Sequence, residues 1–222
     1  MPIYHGKFSN KTGTYSVAVH NDYRNFHFQI GVFKFQGFDL DAFELCNPED
    51  FTAAELEQFD FSTRQVREEV YLDLTQYQLS LQIPQILIDS RTEKEKEVIM
   101  ELHFELLHQE EYALLTFQLD EKKYEAKHSL MELLLDDIQR QFEGNYRFKN
   151  CYGCLYGDYS VYGQGFMGPV LCFRNQKEAY LEVQNKSDYM NLDKQDATQQ
   201  ELFCCESYAC RDRVLGYRGT VL

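Results

Sequence analysis

Met100-Glu101-Leu102-His103-Phe104-Glu105-Leu106 alternates apolar and polar residues without a break, and Leu115-Thr116-Phe117-Gln118-Leu119 resumes the pattern. A period of two is what a strand shows when one face is buried and the other is wet. Working back along the chain, Val70, Leu72 and Leu74, then Tyr77, Leu79, Leu81 and Ile83, alternate in the same way. Pro84 interrupts them. Having no N–H to donate, it must lie at an edge, a bulge or a strand end. Ile86 and Ile88 lead into the charged stretch 91–97, which reads as an exposed turn. Nearer the start, Tyr15, Val17 and Val19 form one run, and Phe26, Phe28, Ile30 and Val32 another. The turn-forming pair Asn21-Asp22 between them predicts a hairpin. Beyond Gly31 the apolar phase shifts to Phe33 and Phe35, which predicts a bulge or bend. So many adjacent runs predict an antiparallel sheet or sandwich with a solvated face.

Two helices interrupt the strands. Thr52-Ala-Ala-Glu55 is a capping-box pattern flanked by a Phe51/Leu56 hydrophobic staple, which predicts a short helix near 52–60. Ser129 and Glu132 form a second such box, and Leu130, Leu133, Leu134, Ile138 and Phe142 recur at helical spacing. An amphipathic helix over about 129–143 follows, ended by Gly144 in a left-handed cap. After Gly144 the composition turns to Tyr, Gly and Cys, with strand candidates at 146–148, 170–174 and 180–183. The expected fold is α+β, a single unit over 1–222 with a β-rich part (1–128) and a helix plus Cys-rich part (129–222).

With 22 Lys and Arg against 36 Asp and Glu, the 222-residue chain carries a net charge of −14. Nucleic acid and anionic membranes need a basic stripe, so neither is the expected partner. A basic protein partner fits. No apolar run approaches a membrane span, and the first residues show no signal-peptide pattern, so a cytoplasmic protein or a mature form is expected.

Six of the seven cysteines lie beyond residue 150, and the odd count disfavours a complete disulfide framework. Cys151-Tyr-Gly-Cys154 carries the strongest chemical signal. Two thiolates at this spacing can face one ion across a tight turn, and Cys172 and Cys210 are the expected further ligands of a Zn²⁺ site. Four thiolates would close the site, making it structural and not catalytic. The run Gly163-Gln-Gly165-Phe-Met-Gly168 matches a dinucleotide pattern literally, but Pro169 and a strand follow, leaving no helix N-terminus to hold a pyrophosphate. Of the six histidines none forms a paired ligand motif, and His27 and His103 read as solvent-facing or cross-strand residues. Asp136-Asp137 and Glu93/Glu95/Glu97 read as acidic faces that a basic protein could contact. Asp158-Tyr159, beside the cysteine pair, reads as a turn or a contact.

The run Cys151-Tyr-Gly-Cys154-Leu-Tyr-Gly-Asp158-Tyr159-Ser160-Val-Tyr-Gly163-Gln-Gly165 resembles an uncharacterised bacterial family, a domain of unknown function. Cys172-Phe-Arg-Asn-Gln-Lys177-Glu-Ala-Tyr180, Glu206-Ser-Tyr208-Ala-Cys210 and Gly216-Tyr-Arg-Gly219 are similar to it as well. The resemblance covers 145–219 and is weaker around Phe35–Glu44. It implies that Cys151, Cys154, Cys172 and Cys210 are the shared cysteines, with Arg211 standing where the pattern has proline. It also implies an association with polymorphic toxin systems.

The expected function is therefore that of a protein-binding module without catalysis, an immunity protein that neutralises a cognate toxin. Its expected contacts are Asp158, Tyr159, Asp136 and Asp137, on a scaffold held by structural zinc. A zinc enzyme with an open coordination position and a small-molecule-binding regulator are the competing readings.

Overall fold

A computed structural model describes residues 1–108, 110–160 and 165–212. Ile3–Asn10 (β1), Gly13–Asn21 (β2), Phe26–Ile30 (β3), Phe33–Gly37 (β4) and Glu44–Leu45 (β5) open the chain. Helix α1 (Ala53–Leu56) precedes Asp60–Val66 (β6), Glu69–Thr75 (β7), Tyr77–Asp89 (β8), Glu95–Leu107 (β9), Glu110–Leu119 (β10) and Lys122–His128 (β11). Helix α2 (Met131–Gln141) leads to Tyr146–Phe148 (β12). The last third holds Gly157–Tyr159 (β13), Pro169–Cys172 (β14), α3 (Lys177–Leu181), α4 (Lys186–Met190) and Ala197–Gln200 (β15).

The fold is sheet-rich and antiparallel throughout. A twelve-stranded sheet runs β11-β10-β9-β8-β1-β2-β3-β4-β5-β7-β6, with β12 attached to β8, and β13-β14-β15 form a small second sheet. The alternating residues face inward as expected: Met100, Leu102 and Phe104 of β9 and Leu115, Phe117 and Leu119 of β10 are all buried. Strands β2 and β3 share only the pairs His20–His27 and Asn21–Phe26. Beyond them β3 peels away, and the large sheet folds over on itself. Phe28 of β3 thereby meets Phe8 of β1 at 5.6 Å, and Phe43 meets Tyr77 of β8 at 6.3 Å. Aromatic rings fill the space between the two halves, which is how the chain uses its 17 Phe and 16 Tyr.

Strand β8 resolves the problem posed by Pro84. One side pairs with β9 along nearly its whole length, including Pro84 with Ile99. The other side pairs with β1 only up to Gln82 and with β12 only from Leu87. Pro84 sits in the gap between these two partners, where no ladder bond is lost.

Several local expectations need correction. Gly31-Val32 is the tight turn between β3 and β4, with Ile30 opposite Phe33, and not a bulge. The phase shift is simply the register crossing a two-residue loop. Helix α1 has the full Thr52/Glu55 capping box, whereas α2 starts from Leu130 with no side-chain cap. Packing carries α2 instead: Met131, Leu134, Leu135 and Ile138 are buried, and the Phe142 ring lies 5.1 Å from Tyr124 and 5.5 Å from Phe148. Gly144 adopts the left-handed conformation expected of it, with φ of 78°. Segment 180–183 is not a strand, because Tyr180 belongs to α3 and points into a satellite core with Phe173, Val183 and Tyr189. Helix α4, capped by the Asn185 side chain, has no counterpart in the pattern read from sequence.

Phe104 is fully buried and touches both Tyr77 and Phe166, so it joins the large sheet to the last third. Phe104→Ala should cost about 3–5 kcal/mol, read from urea unfolding; a loss below about 1 kcal/mol would show that this junction does not bear on stability.

Candidate functional site

The cysteine pair follows β12 directly, so the large sheet positions it. Lys149 N donates to Ile86 O at 3.0 Å, continuing the attachment to β8. Asn150, fully buried, donates to Gln85 Oε1 and accepts from Gly153 N, both at 3.0 Å, which fixes the start of the turn. Cys154 N closes it on Cys151 O at 3.3 Å. At 153 only glycine fits, since a Cβ there would collide with the Phe148 carbonyl.

Two other segments close on this turn. Cys151 N donates to Phe203 O at 2.6 Å, and Tyr152 N donates to Glu201 O at 3.0 Å. Leu155 N donates to Ala209 O at 2.7 Å and Arg211 N to Gly153 O at 2.9 Å, bracketing an antiparallel bridge between Cys154 and Cys210. In that bonding pattern the bracketed residues form a non-hydrogen-bonded pair, with side chains on one face and Cα atoms about 4.5 Å apart. Cys172 enters from β14, opposite Gly157.

The thiols of Cys151, Cys154, Cys172, Cys204 and Cys205 are electrostatic neighbours. Burial, and then the adjacent thiols of Cys154, Cys172, Cys205 and Cys204, push the Cys151 thiol far above its ordinary value. Cys172 is also raised, by burial first, against the lowering influence of Arg174, with Cys154 and Cys205 adding to the rise. Burial raises Cys210 while Arg147 and the Tyr208 hydroxyl oppose it. Cys46 lies elsewhere, beside Lys34 and Glu44. Among the described residues no set of three or more His, Cys, Asp or Glu side chains stands in ready-made metal-ligand geometry.

Arg211 is buried and inserted into this junction. Its guanidinium donates to the carbonyls of Cys154 and Leu155 at 3.3 Å and of Gly157 at 2.6 Å, and to the Tyr180 hydroxyl at 3.0 Å. Tyr180 donates onward to Asp158 Oδ2 at 2.8 Å. A planar five-donor fork suits a cradle of carbonyls, and a lysine could not span it.

The expected contact residues are mostly interior. Asp158 and Tyr159 are buried: Asp158 accepts from Tyr180, and Tyr159 donates to Glu201 Oε1 at 2.7 Å. Asp136 is buried too and accepts from the Tyr152 hydroxyl. These three hold the last third together and have no surface to offer a partner. Asp137 alone of the four is at the surface, paired with Arg140 at 2.6 Å. Glu93 and Glu95 pair with Arg147 and Lys149, so part of that acidic face is already neutralised. Gly163 and the run 216–219 lie outside the described residues.

Three features were not anticipated from sequence. Asp39 and Asp41 converge beneath the backbone at Gly165, where any Cβ would run into Asp39 Oδ2 and Asp41 Oδ1. Asp41 Oδ1 accepts from Phe166 N at 2.9 Å, and Asp39 Oδ1 is buried without a partner. Burial, the Asp41 charge, the bond between the two carboxyls and the nearby Glu111 push Asp39 up to about 8.

The second is a hydrogen-bonded row on the wet face of the large sheet. Ser80 Oγ lies 2.8 Å from His103 Nδ1, and His103 Nε2 lies 3.0 Å from Glu105 Oε1. The order serine–histidine–carboxylate evokes a nucleophile relay, but the ring is reversed relative to hydrolases. It also sits on regular strands whose N–H groups are spent in the ladder, so none is aimed at an oxyanion. His103 is the cross-strand residue expected of it.

The third is an open groove of about 380 Å³ between the two sheets, lined by Tyr23, Arg24, Phe38, Pro169 and residues 198–200. Phe38 is 57% exposed, and Tyr23 packs edge-on against Phe203 at 4.7 Å.

Comparison with known proteins gives one match. A family model described as a family of unknown function (DUF6304) matches residues 2–157, covering the large sheet, α2 and the Cys151–Cys154 turn. The match lies mostly upstream of the motifs that carried the resemblance read from sequence, and it says nothing of toxins. No curated protein and no solved structure matches the chain. Among the described residues no helix is long and apolar enough to cross a membrane.

Asp39 sets a sign for pH dependence. Its folded value near 8 exceeds the unfolded value near 3.8, so the folded state binds the extra proton between them and stability falls as pH rises through that window. The slope approaches at most about 1.4 kcal/mol per pH unit. Asp39→Asn should flatten this fall and raise the urea midpoint more at pH 8 than at pH 5. Equal shifts at the two pH values would show that Asp39 does not hold an extra proton in the folded state.

Proposed function

We propose that this chain, which belongs to the DUF6304 family of unknown function, acts by binding another protein, and that the partner is a basic cognate toxin that it neutralises as an immunity protein. The observation that carries the binding reading is the Phe38 groove. An aromatic side chain 57% exposed, beside the exposed Arg24 and the half-buried Tyr23, is the residue set from which interface anchors are drawn. Among the described residues strand β15, which lines the same groove, pairs only with β14, and its other edge is one that an incoming segment could extend.

The net charge of −14 supports a basic partner, because a field of one sign speeds encounter with the opposite sign. The association with toxin systems that the resemblance of residues 145–219 implies supports a toxin in particular. In this reading the buried Asp158, Tyr159 and Asp136 act as scaffold, and contact passes to the groove rim.

Phe38→Ala should weaken the complex by about tenfold or more while leaving thermal unfolding unchanged, since the ring is largely in solvent. Association should also slow as salt is raised. The measurement is kinetic binding of purified chain to the product of the adjacent gene, with growth rescue on co-expression. No complex together with no rescue ends the proposal.

A further inference from the structure

We propose that Cys151, Cys154, Cys172 and Cys210 hold a single Zn²⁺ as a closed, structural four-thiolate site. The inference is independent of the binding reading above and rests on where the backbone places the thiols. Main-chain hydrogen bonds tie the 151–154 turn to the 203–211 stretch, and tie Tyr156 and Gly157, just beyond the turn, to the end of β14, bringing together three segments far apart in sequence. Together they carry six of the seven cysteines.

Cys151 and Cys154 are set by the Asn150–Gly153 turn. Cys154 and Cys210 face the same side of a non-hydrogen-bonded pair, the closest side-chain approach an antiparallel ladder offers. Cys172 lies opposite Gly157, which presents no side chain between it and the turn. Cys151, Cys154 and Cys172 are buried. Among the described residues no three thiols stand in ligand geometry as they lie, so binding requires rotation about the Cα–Cβ bonds to gather these neighbours at one centre.

The chemistry selects the ion. An all-sulfur tetrahedral set is soft and takes zinc or an iron–sulfur cluster, and the turn of two thiolates spaced by two residues is a zinc half-site. Four thiolates leave no position for water, so the ion would tie the last third to the sheet without taking part in a reaction. The Arg211 guanidinium, bonded to the carbonyls of Cys154, Leu155 and Gly157, lies at the same turn and offsets the negative charge that four thiolates and one Zn²⁺ leave.

Elemental analysis of the full chain, grown with added zinc and dialysed exhaustively, tests this. One zinc per chain is expected, retained in the Cys46→Ser, Cys204→Ser and Cys205→Ser proteins. Cys151→Ser and Cys210→Ser should lower zinc affinity by more than the roughly 10–100-fold that a lost outer partner costs. Because those variants can fail to fold, the unaltered chain provides a second readout: Co²⁺ should give the sulfur-to-metal charge-transfer absorption and visible bands of a tetrahedral thiolate site.

An unaltered chain without zinc and without that cobalt spectrum overturns the proposal. So does iron with inorganic sulfide, or a Cys154–Cys210 disulfide in the isolated protein. Zinc lost from Cys205→Ser but kept by Cys210→Ser overturns the assignment of the fourth ligand.

Discussion

Strand β8 has two sides to satisfy and a proline in its middle, and the arrangement of the molecule follows from how that is solved. Against β9 the strand is paired nearly end to end. On the opposite side β1 takes the first half and β12 the second, and Pro84 falls between them. Because β12 arrives only after α2, the chain must finish the large sheet and cross α2 before it can fill the second half of β8. The Cys151–Cys154 turn follows β12 within three residues, so the turn inherits its position from that strand. A chain that failed to seat β12 would leave both β8 and the thiols without a frame.

Apolar contacts such as Phe166 on Phe104 seat the last third against the sheet, and within that third buried polar groups fix how the 203–211 stretch meets the Cys151–Cys154 turn. Arg211 is satisfied by three carbonyls and a tyrosine hydroxyl, and Tyr180 passes the network on to Asp158. Burying a guanidinium costs several kcal/mol unless its donors are met. A network of this kind adds little net stability but punishes any misplacement of its members. It therefore specifies one docking of the 203–211 stretch against the turn, which a purely apolar contact would not do.

How much of this was legible in the sequence depended on range. Runs such as Met100–Leu106 declared their strands because one face meets the core and the other meets water, and each residue reports that locally. The Thr52/Glu55 box declared α1 for the same reason. Ser129 misled because the same box chemistry was written one residue too early for a helix that packing, and not capping, starts. Tyr180 misled in the opposite way: it looked like a strand residue, yet its hydroxyl belongs to the Arg211–Asp158 network, whose other members are 22 and 31 residues away. The cysteine pair was legible as a motif. Asp39, Asp41 and Gly165 were not, since nothing local links two carboxyls in the 38–43 loop to a glycine in the last third.

That carboxyl pair is one of several polar attachments between the large sheet and the last third, with Asn150 on Gln85 and Lys149 on Glu95 among the others, and the proposed zinc site would respond to pH in the opposite sense. The Asp39–Asp41 contact is strongest while Asp39 is protonated and weakens as pH rises toward 8. A thiolate site needs its ligands deprotonated and so strengthens as pH rises. Phe166, packed on Phe104 and bonded through its amide to Asp41, belongs to the carboxyl attachment. With zinc bound as proposed, the last third would be held by two groups with opposed proton demands and stay attached across a wider pH range than with either alone. The Phe38 groove, walled by Pro169 and β15 on one side and by residues of the large sheet on the other, keeps its shape only while that attachment holds.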